Sequence, residues 1–74
     1  MGRNGAKIGA IAEAEARGLA LEMGVADPEG LEMMAAELIE ASRMHAFTHG
    51  WTQEHCREIA VHLRRMAIRA RNTA

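Results

Sequence analysis

Residues 53–71 read QEHCREIAVHLRRMAIRAR. This stretch decides the fold. At ~100° per residue, Cys56, Ile59, Ala60, Leu63, Met66, Ala67 and Ala70 gather on one side of a helix. Val61 and Ile68, seven apart, form a separate apolar line, and Arg57, Arg64 and Arg71 repeat at the same spacing between the two. One helix therefore shows two contact faces. Thr52 stands where an N-cap belongs, with Gln53 and Glu54 in the first turn behind it.

The punctuation upstream repeats the pattern. Gly50 closes the preceding run as a C′ glycine, and Gly24 does the same for the run before it. Asp27-Pro28-Glu29 reads as N-cap, proline at the first helical position and an acid in the first turn. Helices are predicted near 6–23, 28–48 and 53–71, with residues 1–5 a flexible lead and 72–74 a tail. Residues 1–74 make one small domain. Valine and threonine are few and nothing alternates with period two, so strands are not expected. Short connections make neighbouring helices antiparallel. The expected fold is all-α, three short helices in a hairpin or three-helix bundle, completed by oligomerisation.

Apolar supply motivates that last clause. The chain has 74 residues and is 49% hydrophobic, but fifteen of those residues are alanine and six are methionine, with one Phe, one Trp and no Tyr. A single core is marginal at this size. Yet large side chains stand off the main seam. In the second helix Leu31, Met34, Ala35, Leu38, Ile39, Ser42 and His45 share a broad stripe, while Met33, Ala36, Met44 and Phe47 point the other way. A grouped Met/Phe face marks an interface more often than chance exposure. Met33, Met44, Phe47, Val61 and Ile68 are the expected protein-interface residues. The first helix is less regular. Ile8, Ile11, Ala12, Leu19 and Met23 form a loose stripe with Glu15 and Glu22 at its edge, and Leu21, Ala10 and Ala14 lie on the other side. Small residues also recur every four positions, at 6, 10, 14 and 18 and at 12, 16, 20 and 24.

Formal net charge is −1, so no global field steers the chain to nucleic acid or membrane. Its distribution is two-ended. Residues 13–40 hold eight acids against Arg17 alone, and residues 41–74 hold six arginines against Glu54 and Glu58. The halves either neutralise one another across a folded hairpin or face outward. If outward, Glu29, Glu32, Glu37 and Glu40 form an acidic surface able to compete with nucleic acid for a basic groove on a partner. Arg57, Arg64, Arg65, Arg69 and Arg71 form a basic face that would hold phosphate without sequence specificity. The near absence of stacking aromatics counts against single-strand binding.

His45, His49, His55 and Cys56 are the candidate metal ligands. Their spacing fits no standard zinc pattern, and the adjacent His55 and Cys56 diverge by ~100° on a helix. No metal and no cofactor is therefore expected; the favoured reading is a buried cysteine beside partly exposed histidines, which with His62 make association sensitive to pH near ~6.5. Catalysis is not expected either: His55 does not face Cys56, and no glycine-rich loop offers an oxyanion or phosphate cradle.

Gly50-Trp51-Thr52-Gln53-Glu54, followed by Ile59-Ala60, resembles the opening of the second helix in Cro/repressor-type helix-turn-helix domains. The resemblance covers about a dozen residues and implies DNA binding. That family turns into a recognition helix at this point. Here Val61 to Arg71 continues without Gly, Pro or cap, so no DNA-contact residue is carried over.

One cysteine forms no internal disulfide, no run approaches a membrane span, and Met1-Gly2-Arg3-Asn4-Gly5-Ala6 carries neither a hydrophobic signal core nor the myristoylation pattern. A cytoplasmic protein without membrane contact is expected. Function is expected to lie in protein–protein contact: a homodimeric, stoichiometric regulator, inhibitor or adaptor that occludes a partner surface, of a kind frequent in phage and mobile elements. The alternatives are a nucleic-acid-binding regulator working through the third helix and a metal-binding helical protein.

Overall fold

The computed structural model describes residues 2–44 and 50–73, with side chains from Gly9 onward. The chain is all-helical: α1 spans Gly2–Met23, α2 Pro28–Arg43 and α3 Gln53–Thr73. There is no strand among the described residues. The helix contacts fit a bundle in which α3 is central. It packs against both α1 and α2, while α1 and α2 scarcely meet. No described helix is long and apolar enough to cross a membrane.

Local chemistry sets the boundaries. α1 ends in a Schellman turn: Gly24 takes φ 70°, its N–H donates to the Leu21 carbonyl at 3.1 Å, and the Val25 N–H donates to the Ala20 carbonyl at 2.9 Å. The turn folds Val25 back onto the core. Two residues later Asp27, in extended backbone, accepts the Gly30 N–H at 2.9 Å on its carboxylate, with Pro28 next to it opening α2. Gly30 is needed at this corner. A Cβ there would lie 2.7 Å from both Asp27 Oδ1 and Val25 Cγ1. Thr52 caps α3 as its position predicts, accepting the His55 N–H on Oγ1 at 3.0 Å and the Cys56 N–H on its carbonyl at 2.9 Å.

Three boundaries differ from expectation. α1 begins at Gly2, so residues 2–5 lie within the helix instead of before it. Their two glycines disfavour helix, but no proline stops it from propagating. α2 closes at Arg43 instead of running to 48, and Met44 leaves helical backbone at φ −92°, ψ 7°. In that last turn Ser42 Oγ donates to the Ile39 carbonyl at 2.8 Å, the local competition by which serine weakens a helix. His45, Phe47 and His49 lie outside the described residues. α3 takes in Asn72 and Thr73 of the expected tail, and Thr73 Oγ1 donates to the Ala70 carbonyl at 3.2 Å.

The core matches the anticipated stripes on two helices. Leu31, Ala35 and Ser42 of α2 and Cys56, Ile59, Ala60, Leu63 and Ala67 of α3 are buried, with Met34, Leu38, Ile39 and Met66 packed partly against them. On α1 the expectation holds only in part, at Ala12 and the half-buried Leu19. Ile11 and Met23 are exposed, and the buried line is Ala12, Ala16 and Ala20. One of the two small-residue ridges is therefore the seam against the core. Methyl side chains let α1 lie close to its neighbour, which leaves its larger side chains outside.

Candidate functional site

The described side chains expected at an interface lie on the surface. Met33 of α2, Met44 just past its end, and Val61 and Ile68 of α3 are exposed, Val61 least at 43%. Phe47 lies outside the described residues. α1 adds three that sequence patterning did not assign to a contact face: Ile11, Leu21 and Met23, with Leu21 84% exposed. Their signal was the alanine ridge itself. Once the alanines form the seam, the bulky residues on the opposite side of the helix face solvent.

The charged halves do meet across the hairpin. Arg71 NH1 of α3 donates to Glu32 Oε2 of α2. The Arg71 hydrogen bond, aided by its charge and that of Arg64, holds the Glu32 carboxyl below the usual carboxylate range although partial burial opposes it. Arg71 is raised in turn, first by the Glu32 hydrogen bond, with Glu29 adding a weaker attraction. Glu40 lies 3.9 Å from Arg43 on its own helix. Glu29 and Glu37 are exposed on α2, as are Arg57, Arg64, Arg65 and Arg69 on α3. The basic set does not form one face: at ~100° per residue Arg65 and Arg69 point well away from Arg57 and Arg64.

A second feature joins α1 to the start of α3. Glu15 receives two donors: the Trp51 indole N–H on Oε2 at 3.0 Å and His55 Nε2 on Oε1. A carboxylate only accepts, so the His55 proton sits on Nε2. The two rings stand edge to face, centroids 6.0 Å apart and planes at 71°. The side chains of Glu15 and His55 are 32% and 18% exposed, so the cluster is partly sheltered from solvent. Shallow open grooves flank Trp51, one of about 340 Å³ beside Glu54 and Glu58 and one of about 360 Å³ beside Gly18 and Glu22. Sequence patterning left Glu15 as a carboxylate at the edge of the α1 stripe. The missed signal was Trp51, the residue before the N-cap, where a large apolar side chain commonly folds back.

That arrangement separates the candidate metal ligands. His55 turns to α1 and is held by Glu15, whereas Cys56 is buried in the core. His45 and His49 lie outside the described residues. Among the described residues no group of three or more His, Cys, Asp or Glu is placed to hold a metal ion. No family model, curated protein or solved structure matches the chain.

Proposed function

We propose that this chain is a small helical protein–protein interaction module, a stoichiometric regulator or adaptor that acts by covering a partner surface and that associates with itself. One observation carries the proposal: among the described residues seven large apolar side chains are exposed, while six of the ten buried apolar residues are alanine. Scattered exposure needs no cause, but Met33, Val61 and Ile68 sit on two packed helices with Met44 at the end of one, and methionine is the side chain best able to adapt to a partner. The test is sedimentation velocity across a concentration series, with Val61→Glu and Ile68→Glu beside the unaltered chain. A concentration-dependent dimer abolished by the substitutions, with helix content retained, supports the proposal. A monomer at every concentration removes self-association from it.

The acidic surface gives the partner-directed form of the same proposal. Glu29, Glu37 and Glu40 would present carboxylates to a basic groove, with Glu32 already engaged by Arg71. Reversing these charges should abolish capture of such a partner. A second proposal, nucleic-acid binding through Arg57, Arg64, Arg65 and Arg69, draws on their exposure. A salt-dependent gel shift with arbitrary DNA and RNA decides it.

A further inference from the structure

We propose that the occupant of the α2–α3 face is a second copy of this chain, docked with its α2 over α3 and its α3 over α2. The inference rests on the self-association proposed above and names its face, register and charge logic. Arg57, Val61, Arg64, Ile68 and Arg71 follow one another at three- and four-residue steps along one line of α3. Arg71 reaches Glu32, so this line borders α2. On α2 the matching line is Glu29, Glu32, Ala36 and Glu40, all exposed. One line is apolar between arginines, and the other is a small residue between glutamates.

Two-fold symmetry leaves two ways to lay this face on a copy of itself. An axis perpendicular to the helices sets α3 on α3 and α2 on α2, with arginines opposing arginines and glutamates opposing glutamates. An axis parallel to the helices sets α2 on α3 twice over and opposes unlike charges throughout. Electrostatics selects the second. The in-chain Glu32–Arg71 pair then fixes the levels. Antiparallel helices advance and retreat by ~1.5 Å per residue, so Ala36 lies level with Ile68, and Glu40 with Arg64, to within about one residue. A parallel two-fold axis preserves these levels between copies. Ile68 thus meets Ala36 of the second copy, and Arg64 meets its Glu40. Met33 and Met44 fall at the rim.

The contact is small. α2 is about 24 Å long and two adjacent helices are about 20 Å wide, giving on the order of 500 Å² per copy. That total sits at the lower edge of specific interfaces, so a weak, concentration-dependent dimer is expected.

The experiment uses Glu40→Arg and Arg64→Glu, each alone and then mixed in equal amounts. Helix content is checked by circular dichroism and association by sedimentation velocity. Alone, each variant opposes like charges twice, and its self-association should weaken about tenfold or more. Mixed, every pair is again unlike, so a heterodimer should form with the unaltered chain's strength. Should Arg64→Glu lose helix, Ala36→Lys places a charge against Ile68 of the second copy and should abolish association equally. If the unaltered chain dimerises but the single variants dimerise as well as it does, this face is wrong while the interaction-module proposal stands. Monomeric variants that fail to combine overturn the register. A monomeric unaltered chain overturns this dimer outright and removes self-association, but not partner binding, from the proposed function.

Discussion

Replacing Glu15 with alanine should loosen α1 more than any other surface change on that helix. α1 is held to the core by three alanine methyls, each contributing about 0.8 kcal/mol. Glu15 adds two hydrogen bonds to a carboxylate, from Trp51 and His55. Such bonds contribute ~1.5–3 kcal/mol each when fully sheltered. Here the carboxylate side chain is 32% exposed, and solvent screening reduces the pair to roughly 1–3 kcal/mol together. Alanine's better helix propensity returns about half a kcal/mol. The net loss is roughly 0.5–2.5 kcal/mol, a fall in Tm of about 2–20 °C for a chain of this size. The assay is thermal unfolding by far-UV circular dichroism, with fluorescence of Trp51, the only tryptophan, reporting the site. A double-mutant cycle pairs Glu15→Ala with Trp51→Phe, which keeps a ring and removes the N–H. Coupling of at least ~0.5 kcal/mol is expected for groups in contact. Coupling near zero, together with unchanged Trp51 emission in Glu15→Ala, would show that the indole and carboxylate do not meet.

Other substitutions probe the frame. Gly18→Ala should stabilise the chain by about 1 kcal/mol, since an added Cβ meets nothing within 4 Å in the middle of α1; a lower Tm would refute the placement of that face. Gly30→Ala should destabilise by roughly 1–3 kcal/mol in urea unfolding, because its Cβ displaces either the Asp27 cap or Val25. Glu32 should titrate below the usual glutamate range by carboxyl NMR and move up in Arg71→Ala. With its folded-state value lowered, its ion pair is fully present above the unfolded-state value and is lost as pH falls through the folded one. No upward move in Arg71→Ala would exclude that pair in solution.

What could be read from sequence followed side-chain size. α3 and α2 bury large residues at helical spacing, so Ile59, Leu63 and Leu31 disclosed their faces directly. The caps at Asp27 and Thr52 were equally legible, because each is decided within four residues. α1 was not. Its large apolar residues outline one face and its alanines another, and only the distance to α3 decides between them. Glu15, Trp51 and His55 escaped for a related reason. They are 36 and 40 residues apart along the chain, and only tertiary packing brings them together. Gly30 escaped because its neighbours Val25 and Asp27 converge on it only once the Schellman turn and the N-cap are both formed.

The alanine seam has one more consequence. A row of methyl groups is nearly smooth along its length, so it sets how closely α1 approaches α3 but hardly where along α3 it stops. Ala12, Ala16 and Ala20 repeat every four residues, and a slide of one step, about 6 Å, would present the next methyl to much the same surface. Glu15 breaks that equivalence. Its two donors on and beside α3 give the rail a single notch, and the position of the whole first helix is indexed by one carboxylate.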